Sequence, residues 1–268
     1  MRQMSLSEVQ ETNVETLFNF AEYCDSKGLS YYLAYGTLLG AVRHQGIIPW
    51  DDDIDVWMPR KDYETFCASF NRDAMDGTYR FYNMENDQWQ YDYRGIVADE
   101  RTLHSYGRRV TDLHYGLHID VFPLDYQDDS ERKRKRLAKK TYRLVDMAHR
   151  FVLADESAYL SRHSFIHGIA FKVSKLICNK VDFRRLMQRE DRRAKHHPAS
   201  NWLGIIGDPS APGYPAAWFS EKVDLMFCGK KLHAPIEYDK ILQMQYGDYM
   251  TYPPEEQRHP YGKGFWRE

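Results

Sequence analysis

The stretch YGTLLGAVRHQGIIPWDDDIDV, residues 35–56, packs four aspartates into five positions between an apolar approach, Ile47-Ile48-Pro49-Trp50, and an apolar continuation through Ile54 and Val56. Carboxylates this close repel one another, and each is costly to desolvate unless a positive charge sits among them. The segment therefore demands a cation or a great deal of water. Read as an extended strand, DDDIDVWM places Asp51, Asp53, Asp55 and Trp57 on one face and Asp52, Ile54 and Val56 on the other. Carboxylates along one face stand about 7 Å apart and can converge on a hard cation, with all-oxygen ligands favouring Mg²⁺ or Mn²⁺. Asp53 and Asp55 are the expected principal ligands, Asp51 a further ligand or a supporting acid, and Asp52 a turn cap or a partner for a basic side chain. A solvated acidic turn is the plain alternative, but these aspartates run straight into Ile-Asp-Val, which a core would bury. An EF-hand fails on spacing. Counted from Asp51 its glycine position holds Val56 and its closing glutamate position Asp62; counted from Asp53, Glu64 fits but Met58 replaces the glycine.

Upstream, Leu29 to Tyr35 reads as a buried strand, and Gly36-Thr37 opens TLLGAVRH as a short helix. Strand, glycine turn and helix can present backbone N–H groups to a phosphate. Gly36 would let the backbone approach it, and Thr37 would add a hydroxyl or N–H. Arg43 and His44 follow one to two turns later, where a cation can meet an anionic donor; an ordinary surface pair accounts for them equally well. In YGLHIDVFPLD, Leu117, Ile119 and Val121 alternate with His118, Asp120 and Phe122, and Pro123 is expected to stop the strand. Asp120 is thus an acid inside an apolar strand, a further metal ligand or a general base for an acceptor hydroxyl; an edge-strand acid in a salt bridge is the alternative. A metal held by aspartates beside a phosphate cradle suggests phosphoryl or nucleotidyl transfer.

The rest of the chain bounds this reading. With 43% hydrophobic and 15% aromatic residues in 268, a sizeable core is available. A formal charge of -2, from 37 basic and 39 acidic residues, exerts no global pull on nucleic acid. Cys24, Cys67, Cys178 and Cys228 are far apart, suggesting neither a disulfide framework nor a zinc finger. Residues Met1 to Glu8 lack the apolar core of a signal peptide, so a cytoplasmic location is expected. Ser5 and Glu8 have capping-box spacing and predict a first helix to about Ser26. Pro59 to Asp62 reads as a turn before a helix carrying Tyr63, Phe66, Cys67 and Phe70. We expect one domain over residues 1–268, interrupted at 130–200 by a basic helical insertion, then a hairpin around Gly229. The basic run Arg132 to Arg143 offers a peripheral surface for an anionic membrane, though a solvated helix face is the simpler account. Its aromatics are too few for nucleic-acid stacking. YGDYMTYPPEEQRHPYG would close over the site with Arg258 or His259 at the donor, or form a surface tail.

YGTLLGAVRHQGIIPWDDDID, HIDVFPLD and YGDYMTYPP together resemble the LicD family, which shares this core with fukutin and fukutin-related protein. The resemblance spans most of the chain and implies an α/β (α+β) nucleotidyltransferase-like fold, a mixed β-sheet core flanked by helices. It also implies metal-dependent transfer of a phosphorylated group from a CDP-linked donor to a sugar hydroxyl of a glycan precursor, with lipid-linked acceptors among the candidates. Carried over by position, Gly36 and Thr37 match the phosphate-side turn, Asp53 and Asp55 the principal metal pair, Asp51 a supporting acid and Asp120 the later acid. The bacterial branch implies phosphocholine from CDP-choline, moved onto teichoic acid or lipopolysaccharide; the animal branch implies ribitol phosphate, and glycerol phosphate is a further alternative. Choline would suit an aromatic cage, with Trp57 on the aspartate face a candidate beside Trp50, Tyr31 and Tyr35, although core packing explains such residues too. A true nucleotidyltransferase releasing pyrophosphate and a catalytically silent glycan-assembly module are the competing classes.

Overall fold

Ser5 begins the first helix by accepting from the Glu8 N–H while the Glu8 carboxylate accepts from the Ser5 N–H. Helix α1 (Leu6–Lys27) follows a short strand β1 (Arg2–Gln3) and stops at Gly28, whose φ of 66° is the left-handed conformation glycine adopts without strain. This computed structural model describes residues 2–74, 77–105, 115–152, 165–210, 213–260 and 264–267. After α1 come β2 (Tyr32–Leu33), α2 (Tyr35–His44), β3 (Asp55–Pro59), α3 (Arg60–Asp73), β4 (Tyr79–Tyr82), β5 (Gly95–Asp99), β6 (Thr102–Ser105) and β7 (His118–Gln127). Among the described residues of the basic stretch are the α-helices α4 (Glu131–Met147), which runs into a π-helical turn at Ala148–Val152, α5 (Phe165–Cys178) and α6 (Phe183–Lys195). The chain continues through β8 (Trp202–Gly204), β9 (Tyr214–Pro215), the hairpin β10 (Lys222–Phe227) and β11 (Lys230–Pro235), α7 (Tyr238–Tyr246) and β12 (Gly264–Arg267).

The central sheet runs β2-β3-β7-β5-β4, with β8 continuing from the far end of β7 and β9 beyond it. Among the described residues only β3 and β7 of this sheet are parallel, so the sheet is mixed, as expected from the sequence. Their register sets Asp55 beside Asp120. The sheet is buried against α1 and α3 through Leu17, Phe20, Phe66 and Phe70, with Val56 and Trp57 contributed by β3. Arg60 grips Asp125 of β7 with two N–H bonds of 2.7 Å and reaches Asp191 of α6 at 2.9 Å, tying three elements together.

Several sequence expectations are corrected. The strand read across DDDIDVWM begins only at Asp55, the first residue in register with β7; Asp51 to Ile54 form an irregular connection of which only the Ile54 carbonyl is taken up by β7. Leu29–Tyr35 shrinks to the pair Tyr32–Leu33, and α2 begins one residue early, at Tyr35. The turn at 59–62 is the start of α3, with Pro59 at its cap. Nor does Pro123 end β7, which runs on to Gln127. The Asp120 N–H donates toward β3, to Ile54 O, so by alternation the Pro123 nitrogen faces the opposite side. There β5 pairing has ended at Val121 and β8 pairing starts at Asp125, leaving a gap in which a missing donor costs nothing. Residues 153–164 of the expected helical stretch, and Tyr261 and Gly262 of the C-terminal motif, lie outside the described residues. Among the described residues, no helix is long and apolar enough to cross a membrane.

Candidate active site

The aspartate connection is held from beneath by α1. Gln10 donates to the Asp51 carbonyl at 2.8 Å and Asn13 to the Asp52 carbonyl at 3.0 Å, while the Asp51 N–H donates to Ile48 O at 2.9 Å. From above, α2 presses on the same residues. A Cβ on Gly36 would stand 2.8 Å from Asp51 Oδ2, so the glycine makes room for a carboxylate. The buried Thr37 hydroxyl accepts the Asp55 N–H at 2.8 Å and so fixes the first residue of β3. That bond ties the start of α2 to the sheet and leaves the O–H of Thr37 as a donor; Thr37 itself does not line the cleft described next. Tyr35 opens α2 with φ 44°, a strained value for a bulky residue, and its hydroxyl donates to Asp208 at 2.6 Å.

A cleft of about 780 Å³ lies above these residues, lined by Tyr35, Gly36, Asp51, Asp53 and Asp55 on one part and by Arg43, Trp50, Tyr246, Tyr249, Tyr252 and His259 on another. Burial, together with the charge and hydrogen bond of Asp53, pushes the Asp51 carboxyl up to about 8. Asp55 is also driven well upward, by burial and by the charges of Asp53 and Asp120, with Arg94 opposing. Asp120 is paired with Arg94 at 2.9 Å, and Arg94 also holds Asp92 at 3.1 Å. The acidic set thus carries more negative charge than Arg94 can balance. Asp52 does not line the cleft and is buried, yet carboxylate oxygens of Asp51, Asp52 and Asp53 all lie within 4.8 Å of one another. Its Oδ1 is enclosed without a hydrogen-bond partner among the described residues. A hard divalent cation is the group that such an all-oxygen donor set, with an orphaned buried oxygen, fits best.

Trp57 is corrected from a cleft residue to a core residue. It is fully buried, with its ring 5.1 Å from Tyr35 and 5.4 Å from Tyr214. The aromatic wall comes instead from Trp50, one of the expected candidates, and from Tyr246 to Tyr252, within the segment expected to close over the site. Arg43 joins the two: its guanidinium donates to Tyr249 O at 2.9 Å and lies 4.8 Å from the Tyr252 ring centre. Arg258 lies over the same ring and over Trp50, at 5.4 and 5.6 Å. His44 accepts from Arg43 Nε at 3.0 Å and sits edge-on to Trp50 and Tyr252 without lining the cleft. Burial and the Arg43 charge hold its imidazole below the usual range, which suits an acceptor. The segment YGDYMTYPP is therefore a wall of the cleft, and its dense aromatics were the sequence signal for it.

A mixed sheet carrying an acid on each of two adjacent parallel strands, under a cleft with a glycine-led helix start, defines a protein of nucleotidyltransferase-like fold equipped for phosphate chemistry. Over residues 28–155 the chain matches the family model described as LicD/FKTN/FKRP, nucleotidyltransferase domain. It is 29% identical over 276 residues, 97% of each chain, to the lipopolysaccharide cholinephosphotransferase LicD of Haemophilus influenzae. Over 99 residues, 37% of this chain and 17% of the relative, it is 31% identical to the ribitol 5-phosphate transferase FKRP of Homo sapiens.

Proposed function

We propose that the protein is a phosphotransferase that moves a phospho-alcohol, phosphocholine first among the candidates, from a CDP-linked donor to a sugar hydroxyl of a cell-surface glycan precursor. The observation that carries this reading is the acidic cleft floor, in which Asp51, Asp53 and Asp55 face one space beside the Gly36 helix start and Asp120 stands in register with Asp55. Phosphocholine is favoured by the relative that matches end to end, a cholinephosphotransferase acting on lipopolysaccharide. The shorter match to a ribitol 5-phosphate transferase supports ribitol phosphate as the second reading.

In this reading Asp51, Asp53 and Asp55, with Asp120 and its Arg94 partner behind them, would hold Mg²⁺ or Mn²⁺, which when bound neutralises charge on the donor diphosphate. Gly36 leaves backbone N–H groups of α2 open toward the same phosphates. Arg43, backed by Arg258 over Trp50 and Tyr252, supplies the cationic side of the cleft, where the phosphate of CMP would sit. The acceptor hydroxyl attacks the phosphorus bearing the alcohol, its proton passes to a cleft carboxylate, and the bond to CMP breaks. Because guanidinium groups already cover Trp50 and Tyr252, a choline cage at those faces is disfavoured, and Tyr246 or Tyr249 is the better partner for a quaternary ammonium. The reaction would take place in the cytoplasm, at the inner face of the membrane if the acceptor is lipid-linked.

The test is a panel of CDP-choline, CDP-ribitol and CDP-glycerol, scored by protection against thermal unfolding with and without Mg²⁺. One donor should raise the midpoint only when metal is present, and turnover should release CMP. Pyrophosphate release from an NTP would move the protein to the nucleotidyltransferases. No binding of metal or donor would leave it a silent glycan-assembly module.

A further inference from the structure

Helix α5 carries an apolar stripe that the fold does not cover. Ile169, Val173, Leu176 and Ile177 recur at i, i+4, i+7 and i+8 and are 50, 53, 66 and 61% exposed. On the opposite face Phe171 and Cys178 are buried, Cys178 against Ala148 and Leu144, so the helix is docked on its correct side and the stripe is left over. Contiguous exposed aliphatics of this kind mark an interaction surface.

Charge selects the occupant. The helix sequence FIHGIAFKVSKLIC contains no acid, Lys172 and Lys175 flank the stripe, and Lys180 follows its end. Helix α4 packs on the same Ala148 cluster through Leu144 and exposes Arg132, Lys135, Arg136, Lys139 and Arg143. A second copy laid against the stripe would bring two acid-free α5 helices together, lysine beside lysine. An anionic bilayer meets both demands, accepting aliphatic side chains at the acyl boundary and ammonium groups among the phosphates. At 14 residues the helix is about 21 Å long at 1.5 Å per residue, too short to span a bilayer core of roughly 30 Å and suited to lying in its surface.

We propose that α5 is an interfacial helix that seats the protein on an anionic membrane through Ile169, Val173, Leu176 and Ile177. The proposal goes beyond the transfer reaction and is independent of the donor and metal. It is tested by flotation of the full-length protein with phosphatidylcholine vesicles, with and without phosphatidylglycerol. Binding should require the anionic lipid and fall by more than about tenfold in Leu176→Asp/Ile177→Asp, while Lys172→Glu should weaken it by roughly fivefold. Both variants should keep the wild-type circular dichroism spectrum and the metal-dependent donor shift. As a measurement that needs no loss of function, Ile177→Trp should show extra quenching by brominated anionic lipid relative to wild type. The idea is overturned if wild type does not float, if the double aspartate variant floats as well as wild type, or if Ile177→Trp adds no quenching. A dimer that the double variant abolishes, without vesicle binding by wild type, would assign the stripe to a second copy and also overturn it.

Discussion

At the scale of single residues, the site depends on how closely one helix start approaches one carboxylate. Gly36→Ala would place a methyl 2.8 Å from Asp51 Oδ2, a contact relieved by turning the flexible carboxylate and not by moving backbone. The variant should therefore fold normally, with an unfolding midpoint near wild type, but bind Mg²⁺ more weakly in calorimetric titration and lose turnover. Asp53→Asn and Asp55→Asn should each cut kcat by at least about 10²-fold while leaving the far-ultraviolet circular dichroism unchanged. The pH response of the metal-free protein follows from Asp51. Its carboxyl is pushed up to about 8 in the folded chain, whereas an unfolded aspartate titrates near 3.8. Between those values the native state binds more protons than the unfolded state, so stability falls as pH rises through that window and levels off above it. Urea midpoints measured from pH 5 to 8 should decline, and Asp51→Asn should flatten the decline. Added Mg²⁺ should stabilise more at pH 8 than at pH 5.

At the scale of elements, local grammar and long-range pairing contributed different parts of the architecture. The Ser5/Glu8 capping box, the basic helices and the hairpin at Gly229 were legible because each is specified by residues a few positions apart. The register of β3 against β7 was not, since nothing within either strand states that Asp55 lies beside Asp120. The continuation of β7 through Pro123 was hidden for the same reason, as the proline is tolerated only because two other strands leave a gap beside it. Alternation placed Asp51, Asp53 and Asp55 on one side, and all three line the cleft, but they do so from a loop pinned by Gln10, Asn13 and Thr37. Thr37→Val tests that pinning. Removing the acceptor leaves the Asp55 N–H unsatisfied, at a cost of about 1–3 kcal/mol in equilibrium urea unfolding, with a matching loss of kcat as β3 starts to fray. Arg60→Ala should cost more, about 3–5 kcal/mol, because it strands Asp125 as a buried charge between β7 and α3.

Across the whole molecule, the cleft is assembled from chain segments that sequence proximity would never join. Its acidic floor comes from residues 51–55, and its aromatic wall from Tyr246 to Tyr252, with Arg43 as the link between them. The Arg43 guanidinium holds the Tyr249 carbonyl and lies over Tyr252, and burial together with the nearby Arg258 charge lowers its pKa. Two cations kept this close in a partly enclosed space repel each other and gain from an anion between them, as the phosphate of a nucleotide would provide. If the two parts of the cleft divide the work in this way, they should separate in kinetics. Arg43→Ala should raise the donor KM by roughly tenfold or more, from the loss of a charge-assisted contact, while changing kcat far less. Asp55→Asn should do the reverse, lowering kcat with little change in KM. Arg43→Lys, which keeps the charge but not the planar fork, should recover only part of the donor affinity. Equal losses of kcat in the Arg43 and Asp55 variants would mean that Arg43 works on the transferring phosphoryl group itself, and the cleft would then have a single reacting centre and no separate nucleotide end.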